Sequence, residues 1–197
     1  MQVLNLFPSD VYFEMNTEID NKKLSKIILE KEKTEPSRKM TNKGGWQSND
    51  DLFGDKRFSE ISESISEYCQ LIHIHNNYED DLSVVLENMW ANVNRNRDYN
   101  SSHTHCGSDW SFVYYVKSPK DSGNLVCSDP RIRKEMRHDN TFKNFDNVFT
   151  SASWWEPPVD GKFVIFPSYL EHYVESNTSN KPRISISGNI KMGRDDE

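Results

Sequence analysis

The spacing of apolar positions changes near residue 82 and divides the chain into two parts. In the first part, Leu24, Ile27 and Ile28 follow the spacing of a helix. A longer set recurs at intervals of three and four residues and predicts an amphipathic helix over 57–75: Phe58, Ile61, Ile65, Tyr68, Cys69 and Ile72. Two short apolar runs before these helices, broken by Pro8-Ser9-Asp10, favour edge strands or a strand and a turn. Residues 1–81 are therefore predicted to be mostly helical.

The loop composition of residues 41–55 separates the two predicted helices. This stretch contains Gly44-Gly45 and several Asn and Asp residues, and Trp46 is its candidate anchor. We expect an irregular connection that Trp46 anchors to the core.

From Leu82 onward the apolar period becomes two, which indicates strands. The alternation predicts two faces for the first strand. One face holds Val84, Leu86, Asn88, Trp90, Asn92 and Asn94, and the other holds Val85, Met89, Ala91 and Val93. Further strands are predicted over 110–116, with a short partner at 124–128, and then over 163–166, 173–174 and 184–190.

Six or more strands separated by turns indicate a mainly β protein with flanking helices, built as a sandwich or jelly roll. A length of 197 residues suits one domain. We therefore expect a single domain over 1–197, in which a β core over 82–192 carries the helical part over 1–81.

Charge and composition narrow the function classes. The chain has 24 Lys and Arg against 31 Asp and Glu, a formal net charge of −7, which disfavours binding to nucleic acid or to anionic membranes. No window approaches the length of a membrane span, and the first ten residues lack the pattern of a secretory signal. Three cysteines without a Cys-x-x-Cys pair favour reduced thiols. We expect a soluble cytoplasmic protein that is a monomer or a homodimer.

Three of the six histidines lie where strands could present them to a metal ion. His103 and His105 are two residues apart at a strand end, so they project to the same side, and His172 opens a later strand. Three imidazoles, or two with a carboxylate, would leave coordination positions open. His73 and His75 fall at a helix end and His138 falls in a charged loop, where we expect no ligands.

Arg183 marks a second candidate site eleven residues beyond His172. On a strand, Arg183, Ser185 and Ser187 share one face, while Ile184 and Ile186 share the other. A buried guanidinium needs a partner, and that face carries no Asp or Glu. An anionic ligand is the natural partner of the planar Arg fork.

These motifs together resemble the double-stranded β-helix core of the Fe(II)/2-oxoglutarate-dependent oxygenases. The resemblance covers residues 82–192 and depends on the order and spacing of six elements. These are His-x-His at 103–105, Phe-Val-Tyr-Tyr-Val at 112–116, Ser-Gly-Asn-Leu-Val at 122–126, Gly-Lys-Phe-Val-Ile-Phe-Pro-Ser at 161–168, His172 and Arg-Ile-Ser at 183–185. With Asp-Pro-Arg at 129–131, the chain is similar to a group of oxygenase-like proteins from marine bacteria and their phages.

The resemblance implies a metal site but leaves its ligands open at one position. The superfamily usually has His-x-Asp or His-x-Glu, where this chain has a second histidine. In one register His103, His105 and His172 are the three ligands. In a second register Asp109 supplies the carboxylate, and in a third His105 is the first ligand and Gly107 leaves a coordination position empty.

The resemblance also implies the cofactors and the reaction. They are Fe(II), 2-oxoglutarate as cosubstrate and O2, with 2-oxoglutarate decarboxylated to succinate and a C–H bond of a peptide, protein or small metabolite hydroxylated. Arg183 and Ser185 would bind the distal carboxylate of 2-oxoglutarate, with help from Tyr115 or Tyr114. Two other functions stay open: a cupin-like three-histidine dioxygenase that uses no 2-oxoglutarate, and a non-enzymatic β-sandwich interaction module.

Overall fold

A computed structural model describes residues 2, 7–131 and 152–193. Two α-helices and eleven strands are found among them. The helices are α1 (Asn21–Thr34) and α2 (Ser59–Asn76). The strands are β1 (Tyr12–Met15), β2 (Asn42–Lys43), β3 (Trp46–Gln47), β4 (Ser83–Asn94), β5 (Tyr99–His103), β6 (Trp110–Lys117), β7 (Leu125–Ser128), β8 (Ser153–Glu156), β9 (Lys162–Pro167), β10 (His172–Val174) and β11 (Arg183–Gly193).

The strands form two antiparallel sheets that pack face to face as a jelly roll, as predicted. The larger sheet has the order β1-β9-β6-β11-β4-β3, and the smaller sheet has the order β2-β5-β10-β7-β8. Between the sheets, an apolar cluster joins Val113, Tyr115, Val164 and Phe166 of the larger sheet to Leu125 and Cys127 of the smaller one. This interior is the space into which side chains of both sheets project.

The two helices cover the outer face of the larger sheet. Leu24 and Ile28 of α1 and Ile61 and Ile65 of α2 are buried in one cluster with strand residues such as Met89. Asp20 begins α1 by accepting hydrogen bonds from the backbone N–H groups of Lys22 and Lys23. Both predicted helices are confirmed, and α2 begins and ends within two residues of the predicted range.

A β-bulge in β4 corrects one part of the predicted alternation. Asn189 pairs with Asn88 but Ile190 pairs with Leu86, so Glu87 is an extra residue in β4. Before the bulge the faces are exchanged. Val84 and Leu86 pack against the helix-side core and Val85 is exposed, opposite to the prediction. After the bulge the prediction is correct, since Met89, Ala91 and Val93 are buried toward the helices.

The sheets also use segments whose pairing the sequence did not reveal. Residues 124–128 were expected to partner the strand at 110–116, but β7 pairs with β8 and β10 in the other sheet. The segment 41–55 contains β2 and β3, which join different sheets. Trp46 is buried there, as expected of an anchor. Of the first apolar runs, residues 3–6 lie outside the described residues, while β1 is an edge strand.

Candidate metal and cosubstrate site

His103, His105 and His172 meet between the two sheets at the end of β5. His103 and His172 are direct partners in the antiparallel pairing of β5 with β10. His105 lies just beyond β5, and its backbone N–H donates to the carbonyl of Ser168, 2.9 Å away. One ring nitrogen from each of the three residues lies within 4.8 Å of the others. The cluster therefore offers three imidazole ligand atoms to one ion.

Hydrogen bonds fix which nitrogen two of these rings present. Nδ1 of His103 lies 2.8 Å from the carbonyl oxygen of Ser101, and Nδ1 of His172 lies 2.8 Å from that of Leu170. Because a carbonyl only accepts, each Nδ1 carries the proton and each Nε2 keeps a free lone pair. The Nε2 atoms of His105 and His172 are 3.3 Å apart.

Burial keeps the three imidazoles neutral in the absence of metal. Desolvation, with smaller contributions from the neighbouring His103 and His105, lowers the pKa of His172 to about 3. Desolvation likewise lowers the pKa of His105 to about 4 and the pKa of His103 below its usual value. Neutral imidazole is the form that binds a metal ion, so the site is prepared for a cation at neutral pH.

The other candidate ligands lie elsewhere. Asp109 is exposed, and its Oδ2 accepts a hydrogen bond from the backbone N–H of Met192 at 2.7 Å. Among the described residues, the group of side chains that could hold a metal ion consists of His103, His105 and His172 and does not include Asp109. His73 and His75 lie in the last turn of α2, as expected. His138 lies outside the described residues.

A cavity of about 270 Å³ extends from the histidines into the space between the sheets. Its walls come from β4 and β11 on one side and from β5, β10 and the segment 38–50 on the others. The lining includes the three histidines, Arg183, Ser185, Tyr115, Asn92, Trp90, Leu125 and Phe166. The candidate anion site and the candidate metal site thus face one cavity.

Arg183 is 2% exposed and lies at the inner end of this cavity. Its Nη1 donates to the backbone carbonyls of Ser122, Gly123 and Glu175. Within 7–131 and 152–193, no carboxylate forms an ion pair with Arg183, and no hydrogen bond is found for its Nε or Nη2. These two atoms form the edge that binds a carboxylate with two parallel hydrogen bonds. Burial lowers the pKa of the guanidinium, and the arginine stays a cation.

Ser185 and Tyr115 adjoin Arg183 across neighbouring strands. Ser185 of β11 pairs with Tyr115 of β6, and both line the cavity. Burial raises the pKa of Tyr115, so its hydroxyl stays protonated and can donate. The alternative, Tyr114, points to the helices, where its hydroxyl donates to Oδ1 of Asn21 at 2.7 Å. Of the two tyrosines, only Tyr115 faces the cavity.

The sequence reasoning missed a set of polar residues near His105, of which three are buried and one, Asn88, is half-buried. Ser168, Ser111, Asn189 and Asn88 are joined by hydrogen bonds of 2.8–2.9 Å, and we call this set the polar relay. Ser168 is fully buried and also accepts the backbone bond from His105. Position in the strands was the available signal, because Asn88 lies on the same face of β4 as Asn92 and Asn94.

The residues present fit the cofactors of a non-haem iron oxygenase. Three neutral imidazoles suit a divalent transition metal such as Fe(II) and leave positions open on it. A dicarboxylate suits the free edge of Arg183, and the cavity connects the two ends. The fold and this donor set are those of a jelly-roll metalloenzyme, with a buried arginine that faces the interior cavity.

Comparison with known families assigns the chain more narrowly. Residues 88–189 match the model of the family described as "Putative 2OG-Fe(II) oxygenase". The chain belongs to this family of 2-oxoglutarate- and Fe(II)-dependent oxygenases. It is therefore an oxidoreductase whose cofactors are Fe(II) and 2-oxoglutarate. A search of curated proteins finds no match.

Solved structures share the fold at low sequence identity. A Pseudomonas putida prolyl-4-hydroxylase aligns with a TM-score of 0.63 and 13% identity, over 92% of this chain and 91% of that one. The epimerase SnoN in complex with Fe3+, alpha ketoglutarate and nogalamycin RO aligns with a TM-score of 0.63 and 11% identity, over 93% and 79%. A prolyl hydroxylase from Trichoplax adhaerens, with a peptide fragment of hypoxia inducible factor, gives 0.61 and 11%, over 94% and 84%. These likenesses establish the jelly-roll fold.

Proposed function

We propose that this chain is a hydroxylase that inserts oxygen into a C–H bond of a peptide, a protein side chain or a small metabolite. Nε2 of His103, His105 and His172 binds Fe(II). Arg183, Ser185 and Tyr115 bind the distal carboxylate of 2-oxoglutarate. The reaction consumes the C–H substrate, 2-oxoglutarate and O2, and it yields the alcohol, succinate and CO2, so that the alcohol and succinate each carry one oxygen atom from O2.

The free edge of Arg183 is the observation that carries this proposal. The guanidinium is buried with only neutral carbonyls as partners among the described residues, although a buried charge is costly without a counter-charge. It faces the same cavity as the three imidazoles. A ligand that satisfies both ends carries a carboxylate at one end and metal-binding oxygens at the other, which describes 2-oxoglutarate.

Each residue has a separate task in this assignment. Fe(II), when bound, supplies the activation of O2 that is coupled to the decarboxylation of 2-oxoglutarate. The carbonyls of Ser101 and Leu170 hold the rings of His103 and His172 in the ligating tautomer. Arg183 orients the cosubstrate through two parallel hydrogen bonds, and Ser185 and Tyr115 each add one donor. Phe166 and Leu125 line the cavity and exclude water.

Two further proposals concern the cellular compartment and the oligomeric state. Among the described residues, no helix combines the length and apolar character needed to cross a membrane. Cys69, Cys106 and Cys127 are all free thiols, which suits the reducing cytoplasm that we propose as its compartment. We also propose a monomer or a homodimer, which sedimentation equilibrium would distinguish.

The charge-transfer band of an Fe(II)–2-oxoglutarate chelate tests the proposal directly. Without oxygen, Fe(II) and millimolar 2-oxoglutarate added to the chain should produce this visible band. Admitting oxygen should then release succinate. Absence of both signals, while Co(II) still binds the chain, would favour the cupin-like dioxygenase that needs no 2-oxoglutarate. Absence of metal binding would overturn the metal assignment itself.

A further inference from the structure

The polar relay ends on Asn88, which lines the cavity and is partly exposed. We call this side of the cavity, where the partly exposed Arg38 and Asp50 also lie, its mouth. Asn88 lies on β4 two residues before Trp90, and both side chains line the cavity. The ring of Trp90 stacks on His105, with centroids 5.9 Å apart and an angle of 24° between the planes. A ligand group held by Asn88 therefore lies beside Trp90, the residue that contacts His105. Asn88 and Trp90 are roughly 7 Å apart along the strand.

The hydrogen bonds along the relay follow from the orientation of the Asn189 amide. Asn189 Oδ1 can only accept, so the hydroxyl of Ser111 donates to it across 2.8 Å. The proton of Ser111 is thereby used, and the hydroxyl of Ser168 donates to Ser111 across 2.8 Å. The other end of the Asn189 amide, Nδ2, donates to Oδ1 of Asn88 at 2.9 Å.

The amide of Asn88 consequently has one orientation. Its oxygen is engaged by Asn189, so Nδ2 is the end left for a ligand. Within the described part of the chain, no acceptor for this Nδ2 is found. The mouth of the cavity thus presents an N–H donor, and the hydrogen bond from the buried Asn189 gives this donor its direction.

The charged residues at the mouth cancel one another. Arg38 and Asp50 both line the cavity and form an ion pair with each other. The contact with Arg38 lowers the pKa of Asp50, so both groups stay charged and paired near neutral pH. Arg183, at the inner end, is assigned to the cosubstrate. No uncompensated charge is therefore left at the described mouth to recruit an anionic or a cationic substrate.

We propose that Asn88 is a substrate-binding residue that recognises an uncharged hydrogen-bond acceptor, specifically a carbonyl oxygen of the amide type. This inference rests on the proposed function, because it assigns the mouth of the same cavity to the primary substrate. The carbonyl comes from a peptide backbone or from a small amide. In both cases it accepts from Asn88 while the flat face of Trp90 contacts the atoms beside it.

Two small neutral ring compounds test whether Asn88 prefers a hydrogen-bond acceptor to a donor, and they require no knowledge of the substrate. N-methyl-2-pyrrolidinone offers a carbonyl acceptor and no N–H, whereas pyrrole offers an N–H donor and no carbonyl. Each is titrated into the metal-free, ¹⁵N-labelled full chain, and the side-chain amide signal of Asn88 is followed. We expect N-methyl-2-pyrrolidinone to shift this signal and to bind at least tenfold more tightly than pyrrole.

Two variants should make position 88 present a hydrogen-bond acceptor to the cavity instead of a donor. Asn189→Asp removes the Nδ2 donor, so Asn88 must turn its own Nδ2 inward and present oxygen to the cavity. Asn88→Asp places an acceptor at the mouth directly and keeps the bond from Asn189. Followed by tryptophan fluorescence, both variants should bind N-methyl-2-pyrrolidinone at least tenfold more weakly and should no longer disfavour pyrrole.

The outcomes separate this inference from the enzyme assignment. Equal binding of the two rings by the wild type, or an unchanged preference in Asn88→Asp, overturns the role of Asn88. The Fe(II)–2-oxoglutarate band is measured separately and decides the proposed function. Acetyl-dialanine amide distinguishes the sources. If acetyl-dialanine amide binds more tightly than N-methyl-2-pyrrolidinone, the acceptor in the natural substrate is a peptide carbonyl. If it binds equally or more weakly, the acceptor is the carbonyl of a small amide.

Discussion

His103 and His172 occupy directly opposite positions on β5 and β10, and each donates Nδ1–H to the carbonyl of the residue two positions before it. The cross-strand pairing brings together residues that are far apart in sequence. The matching carbonyl bonds give both rings the same tautomer. The two rings therefore form a preorganised pair before any metal arrives.

The first prediction concerns the metal ligands. His172→Ala or His105→Ala should abolish Co(II) binding in isothermal titration, because each removes one of three ligand atoms. The fold should persist, since these side chains contribute little to the apolar core. His75→Ala is the matched control, because His75 is exposed on α2. Retention of wild-type affinity in both site variants would remove these residues from the metal site.

The second prediction concerns 2-oxoglutarate. Arg183→Lys keeps the charge but loses the two parallel donors, and it should weaken 2-oxoglutarate binding by roughly 2–3 kcal/mol. Ser185→Ala should cost only about 1 kcal/mol, as expected for one hydrogen bond. Titration of the charge-transfer band gives both values.

Co(II) affinity serves as the control for this second series, because neither residue is a proposed ligand. Tyr114→Phe is the matched tyrosine variant, since Tyr114 faces the helices, and it should leave 2-oxoglutarate affinity unchanged. A band that forms equally well in Arg183→Lys would assign the distal carboxylate to another residue.

The third prediction concerns the stability of the metal-free chain in acid. Burial lowers the pKa of His105 to about 4 and that of His172 to about 3, whereas an unfolded histidine titrates near 6.5. Between these values the unfolded chain binds more protons than the folded one. The free energy of unfolding should therefore fall as the pH drops below about 6.5, by up to about 1.4 kcal/mol per pH unit for each histidine.

Urea unfolding between pH 7 and pH 4.5 measures this dependence. The variant His172→Gln should show a shallower loss of stability, because it has one fewer buried imidazole. Saturating Zn(II) at pH 7 should raise stability, since the metal binds only the folded chain. An equally steep acid loss in His172→Gln would show that other groups control it.

The fourth prediction concerns a glycine beside the polar relay. A Cβ added to Gly188 would lie 2.5 Å from the backbone oxygen of Asn88 and 2.6 Å from the ring of Phe112. Gly188→Ala must therefore shift β4 or Phe112, and it should destabilise the chain by about 1–3 kcal/mol in urea unfolding. Gly193→Ala is the control on the same strand, because its added Cβ has no neighbour within 4 Å. Similar losses in both variants would contradict this steric explanation.

The sequence predicted those parts of the site that depend on strand periodicity. His103 and His105 project together, and Arg183 and Ser185 share the cavity face, because alternation along a strand is a local property. The choice between Tyr114 and Tyr115 also follows from alternation, once the helices are known to cover one face.

The remaining features depend on non-local pairing and left no local signal. No Gly or Pro marks the bulge at Glu87, and β2 and β3 have two residues each, too few to show a period. The sheet to which β7 belongs is decided by its pairing with β8 and β10. The polar relay consists of Ser and Asn residues that appear ordinary until three strands and the turn after β9 bring them together.

Because of the bulge at Glu87, the two parts of β4 present their even-numbered residues to opposite faces of the sheet. Beyond it, the even-numbered residues from Asn88 to Asn94 face the cavity. Before it, the even-numbered Val84 and Leu86 support the helical layer instead. The wall of the cavity and the support of the helical layer therefore depend on separate stretches of one strand, which meet at Glu87.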